Sequence, residues 1–248
     1  MKDSTNHFLM RVLNLFMWRG KLAGQENLPQ DGPAVFVANH LEILGPIAAV
    51  CSIPLRLYVW SNMVDKETAV ALLQWDVTER ALHLKPPLSA WAAKGLSKIT
   101  VPLLRWLEYI PIHFGNPRRM ADTLDLSAEV LRQGKFVLLF PEDRPAPINP
   151  ATGLRPFQHI FGRLGESHYE QTGNCLKFYP VAIHAKQRLV VIGQPVAFDP
   201  HNSPGQERRR LKDIMENTIV GMYAQLEGGN ISGLATPQPV QDSTKEIS

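Results

Sequence analysis

Cysteine is scarce. The 248 residues hold two, Cys51 and Cys175, which excludes a disulfide framework and a cysteine-based zinc site and fits a reducing compartment. Long apolar runs are missing as well: no uncharged stretch reaches the roughly 18 residues needed to span a bilayer. The opening stretch, Met1 to His7, carries an acid, and the apolar stretch behind it is broken by Arg11 and Asn14 with no small-residue cleavage site following. A secretory leader is therefore not expected, and the chain is expected in the cytoplasm. Charge of one sign does not dominate either. Twenty-six Lys and Arg against 23 Asp and Glu leave a net +3, which suits an anionic surface or ligand but does not call for nucleic acid. Also absent are a Gly-x-x-x-x-Gly-Lys-Ser/Thr phosphate loop, a His-Glu-x-x-His zinc pair, a Gly-x-Gly-x-x-Gly after the first strand, a Gly-x-Ser-x-Gly elbow and any internal repeat. Nucleotide binding, metal chemistry and an α/β-hydrolase site thus have no local support.

What is present can build a core. Apolar residues make up 44% of the chain and charged ones 20%, as in a globular domain of this length. The apolar run 34–38 ends at Asn39-His40 and reads as a buried strand carrying a polar dipeptide to its carboxyl end. Further strand-like runs lie at 55–60, 110–114, 136–140, 178–184 and 189–196, with helical patterns at 45–50, 66–84, 90–107, 118–132, 157–165 and 206–226. Gly134, after Leu131-Arg132-Gln133, reads as a helix stop. The alternation predicts an α/β fold, a mostly parallel central sheet flanked by helices, preceded by an amphipathic N-terminal helix. Residues 1–22 are expected to form that helix, 23–228 the α/β domain, and 229–248, rich in Gly, Ser, Thr, Pro and Gln, a disordered tail.

Two segments have the composition of a membrane interface. Residues 8–18 are apolar around most of a helix, with Arg11, Arg19 and Lys21 at one edge. In 86–111, Lys94, Lys98 and Arg105 alternate with Trp91, Leu96, Leu104 and Trp106, a basic amphipathic pattern with two tryptophans. An ordinary packed or surface helix remains the alternative for each.

The candidate chemistry sits at two strand ends, Asn39-His40 and Phe140-Pro141-Glu142-Asp143-Arg144. In a parallel sheet both ends fall on one edge. An imidazole with an ordinary pKa near 6.5 can take a proton from an attacking hydroxyl at neutral pH. A carboxylate and a guanidinium beside it can orient and hold an anionic substrate.

Read in order, several blocks between about residues 20 and 200 resemble the glycerophospholipid acyltransferases of the lysophosphatidic acid acyltransferase type. Gly24-Gln25-Glu26-Asn27-Leu28-Pro29 is similar to that family's lead-in, and Gly32 to His40 to the strand presenting its catalytic histidine. Ile110 to Asn116 takes the place of the second block, and Phe140-Pro141-Glu142 begins the third. Gly153-Leu154-Arg155-Pro156-Phe157 and Tyr179-Pro180-Val181-Ala182-Ile183 resemble the stretches that follow. The resemblance implies His40 as the base that deprotonates an acceptor hydroxyl for attack on an acyl thioester. It also implies an acyl-CoA or acyl-carrier-protein donor, a lipid acceptor, no cofactor or metal, and a peripheral site on the cytoplasmic membrane face.

Three departures stand out. The family's dyad aspartate, five residues after the histidine, is Gly45 here, which leaves Glu42 or Glu142 as candidate partners for the ring, or a backbone carbonyl. Its phosphate-holding arginine aligns with Phe114, and the third block's arginine arrives one place early as Arg144. Arg118 and Arg119, just past the second block, are the candidates to recover phosphate binding. The expected substrate-binding set is therefore Asn39, Phe114, Arg118, Arg119, Phe140, Pro141 and Arg144, with His40, Glu42 and Glu142 as catalytic candidates.

Overall fold

Five successive side chains without a polar atom, Ala34–Ala38, suit only a strand covered on both faces. The computed structural model describes residues 18–41, 44–62, 67, 70–71, 73–106, 109–112, 117–143, 145–150 and 152–228. In it these five form β2, all of them buried. The other strands are β1 (Lys21–Ala23), β3 (Leu57–Ser61), β4 (Ile110–Pro111), β5 (Phe136–Leu139), β6 (Lys177–His184), β7 (Leu189–Ile192) and β8 (Val196–Ala197). They make one sheet in the order β1-β7-β6-β2-β5-β3-β4, with β8 beside β6. From β6 to β4 every neighbouring pair is parallel, while β7 and β8 run antiparallel to β6. The mostly parallel sheet is as the sequence predicts. The short strands β1 and β8 lay below the reach of the apolar pattern.

The helices are α1 (Leu44–Ser52), α2 (Leu88–Trp106), α3 (Pro117–Arg132), α4 (Arg163–Thr172) and α5 (Pro204–Glu227), with a π-helical segment at Leu73–Ala81. From β2 the chain moves one way across the sheet to β3; from β4 to β5 and from β5 to β6 it moves the other way. Right-handed crossovers in opposite directions put their helices on opposite faces, and the core divides accordingly. Ala48, Ala49 and Val50 of α1 pack with Trp18 on Phe36, Ala38, Val59 and Phe140. Leu131 of α3, Leu164 of α4, and Leu211, Met215 and Ile219 of α5 cover Val35, Val37, Val137 and Phe178 on the other side.

Local signals explain several boundaries. Gly134 ends α3 at φ 71°, a left-handed turn that a side chain disfavours, and its N–H returns to Leu131 O at 2.9 Å. Ser203 and Gln206 form a capping box at the start of α5. One expectation is corrected: residues 157–165 are not one helix. Phe157 pairs in antiparallel fashion with Glu142, a 3-10 turn follows at Ile160–Gly162, and α4 starts only at Arg163. The backbone of Phe157 is engaged in extending the sheet edge and is not available to a helix.

Residues 1–17 and 229–248 lie outside the described residues, so the amphipathic N-terminal helix and the tail do too. The boundary drawn at residue 22 falls inside β1.

Candidate active site at the carboxyl edge of the sheet

The end of β2 is fixed by a side chain acting as backbone. Asn39 is wholly buried. Its amide Nδ2 donates to Ile183 O at 3.1 Å, while its Oδ1 accepts from Ile183 N–H at 2.7 Å. The pair continues the β2–β6 ladder one step past the last strand residue. A carboxamide can do this because it carries both a donor and an acceptor.

His40 comes next, half-buried. Its backbone N–H donates to Glu142 Oε1 at 2.7 Å, the length of a charge-assisted bond. Its ring meets Phe140 edge-on, with centroids 5.2 Å apart and planes at 75°. Phe140 and Glu142 stand two residues apart on the continuation of β5, so both follow from the parallel register that sets Val37 opposite Leu139. Glu142 is only 5% exposed. A second set of bonds holds its stretch of chain: Asp143 N–H donates to Pro156 O at 2.9 Å, and Gln158 N–H to Pro141 O at 2.8 Å. The third and following blocks of the sequence thus form a two-stranded strap beside His40.

Gly45 is buried in the first turn of α1. A Cβ placed there would lie 3.5 Å from Asn39 O, 3.5 Å from the Phe140 ring edge and 3.7 Å from His40 Cα. These are ordinary contact distances. The glycine is therefore not imposed by crowding, and a side chain at this position would begin beside the histidine.

Two residues of this region, Tyr223 and His184, had no signal in the sequence. Tyr223 on α5 has its phenol pKa raised, first by burial and then by the negative charges of Glu227 and Glu142. His184, at the end of β6, lies with its ring 5.0 Å from that of Tyr223. Its Nδ1 accepts from Gln187 N–H at 3.2 Å and its Nε2 stands 3.1 Å from Glu227 Oε1. The packing of α5 sets Tyr223 against the end of β6 and within reach of the charge of Glu142.

No family model and no curated protein matches the chain. Among solved structures, the crystal structure of the 1-acyl-sn-glycerophosphate (LPA) acyltransferase PlsC from Thermotoga maritima is similar at a TM-score of 0.54 and 15% sequence identity. The match covers 92% of this chain and 83% of that one. The two share a fold. That likeness bears out the architecture read from the sequence, a mostly parallel central sheet flanked by helices.

The structure brings Asn39, His40, Phe140, Pro141 and Glu142 to one sheet edge, as the sequence reading required. Arg118 and Arg119 are exposed in the first turn of α3, which follows β4. In the sheet order β4 stands three strands from β2, roughly 14 Å at about 4.8 Å per strand. Glu42, Phe114 and Arg144 lie outside the described residues. Among the described residues no group of three or more His, Cys, Asp or Glu is placed to hold a metal ion, and no helix is long and apolar enough to cross a membrane.

Proposed function

We propose that the chain transfers a fatty acyl group from a thioester carrier, acyl-CoA or acyl-carrier protein, to the hydroxyl of a lyso-phospholipid or related lipid acceptor. The observation that carries this reading is the half-exposed His40 at the carboxyl end of β2, its backbone held by the buried Glu142, on the fold of a solved acyltransferase. His40 takes the proton of the acceptor hydroxyl as its oxygen attacks the thioester carbon. A C–O bond forms, the C–S bond breaks, and the imidazolium returns its proton to the departing thiolate.

Glu142 is a positioning residue for this step through its bond to the His40 amide. Phe114, which in the sequence takes the place of the phosphate-holding arginine of the acyltransferases the chain resembles, has no charge to pair with a phosphate and favours an acceptor less anionic than a glycerol phosphate. Acylation of neutral and phosphorylated acceptors by the purified chain tests this. A clear preference for lysophosphatidic acid rejects the acceptor assignment.

Gly45 favours a second reading, a catalytically impaired relative that binds lipid or acyl groups. His40→Ala separates the two. General-base catalysis by His40 predicts a fall in transfer rate of roughly 10²- to 10⁴-fold, and equal rates for the two proteins end the catalytic assignment.

A further inference from the structure

Helices of a soluble domain turn their large apolar side chains inward and keep small polar ones for the surface. Several described residues of the excursion between β3 and β4 do the opposite. Five of the nine large exposed apolar side chains among the described residues, Trp75, Leu82, Leu88, Trp91 and Leu96, fall in this one stretch, with Trp75 66% and Trp91 71% exposed. Facing inward beside the buried Leu73 are Thr78, Ser89, Ala93 and Ser97, small side chains that are all buried. Their hydroxyls are spent inside the hairpin. Thr78 Oγ1 donates to Gln74 O at 2.8 Å and lies 3.0 Å from Ser89 O, Ser89 Oγ donates to Glu79 Oε1 at 2.9 Å, and Ser97 Oγ donates to Lys94 O at 2.9 Å.

The outer face is also basic. Leu88, Trp91, Lys94 and Lys98 follow one another at helical spacing along the exposed side of α2, and Lys85 is exposed just before it. Tryptophans exposed among lysines match the boundary between acyl chains and anionic headgroups, where indole rings settle and lysines snorkel towards phosphate. The lysines rule out burial in the hydrocarbon layer. The topology places this face well for a lipid substrate: the chain leaves β3 at Ser61 and re-enters the sheet with Ile110 opposite Trp60, both at the carboxyl ends where His40 and Glu142 lie.

We infer that the helical hairpin of residues 73–98 docks the chain on an anionic phospholipid surface, through Trp75, Leu82, Leu88 and Trp91 with Lys85, Lys94 and Lys98 around them. The inference does not rest on the chemistry at His40, because binding is read without turnover. The test is flotation of the full chain with phosphatidylcholine vesicles, with and without phosphatidylglycerol, at low and high salt. Binding is expected to need the anionic lipid and to weaken with salt. In W75S/W91S it is expected to fall roughly tenfold or more, as two interfacial aromatic anchors are lost. In K85E/K94E/K98E the preference for the anionic vesicles is expected to vanish.

Undiminished flotation of W75S/W91S overturns the inference. So does a wild-type chain that ignores vesicles and instead forms a tryptophan-dependent dimer in sedimentation, which would assign the face to a second copy. Amide hydrogen exchange on the wild-type chain provides a reading that needs no variant: anionic vesicles are expected to protect residues 73–98, and unchanged exchange there overturns the docking. Transfer to a short-chain, water-soluble acceptor, measured on W75S/W91S, reports the proposed activity separately.

Discussion

The carboxyl edge of the sheet and the 73–98 hairpin present their side chains on opposite principles. At the edge, polar side chains are buried and committed to backbone: Asn39 to both groups of Ile183, and Glu142 to the amide of His40. In the hairpin, Trp75, Leu82, Leu88 and Trp91 are exposed while the hydroxylated Thr78, Ser89 and Ser97 are buried. The first arrangement fixes the backbone that carries the His40 imidazole, at the cost of desolvating an amide and a carboxylate. The second leaves apolar area in water, a cost of about 25 cal/mol per Å² that only another phase or partner removes. Order at the edge is internal to the fold; the hairpin leaves Trp75 and Trp91 to solvent.

Four measurements bear on this contrast. The largest effect is expected at Asn39. Asn39→Leu strands the N–H and C=O of Ile183 in the core, and chemical denaturation should show a loss of about 2–4 kcal/mol. A smaller loss would mean that the amide pair is dispensable and the edge is not built as described.

Gly45→Asp should come next. The new carboxylate starts in the first turn of α1, where the helix dipole favours it, with its Cβ in ordinary contact with His40 Cα. Acyl transfer by this variant should rise by tenfold or more, since an aspartate behind a catalytic histidine is worth up to roughly 10⁴ in turnover. An unchanged rate would show that another group already orients the ring.

Glu142→Gln keeps an acceptor for the His40 amide but gives up its charge, and a stability loss of about 1 kcal/mol is expected. The expected change for W75S/W91S is the smallest, within about 0.5 kcal/mol of wild type in the same melt, because the removed side chains touch mainly solvent. A large loss there would reveal that the tryptophans hold the fold and would remove the contrast between the two regions.

A pH profile supplies a control away from both. Burial depresses the His168 imidazole on α4 below its usual 6.5. The unfolded chain therefore takes up this proton first, so stability is full above about pH 6.5 and declines as pH falls below it. His168→Gln should flatten that part of the Tm profile, and an unaltered slope would assign the acid sensitivity to other groups.

Much of the edge was legible because parallel strands spell it out in one dimension. An apolar run that stops at Asn39-His40, and another that stops at Phe140-Pro141-Glu142, predict two strand ends that meet wherever the strands are parallel neighbours. The basic and aromatic alternation of residues 86–98 was legible for a similar reason, the period of a helix. Which side of that helix faces solvent was not, since its buried stripe is made of Ser and Ala, and only the partner segment at 73–81 shows what they pack on.

The sequence by itself determined the strand-and-helix order, the mostly parallel sheet and the arrival of a histidine and a carboxylate at its edge, because those depend on local apolar periodicity and on where each run ends. Only the tertiary structure decided that Glu142 holds the His40 backbone, that Gly45 has room for a side chain, that Tyr223 and His184 reach this region from α5 and β6, and that the hairpin turns its tryptophans outward. Each of these is a relation between residues far apart along the chain, set by register and packing, and no one-dimensional pattern carries it.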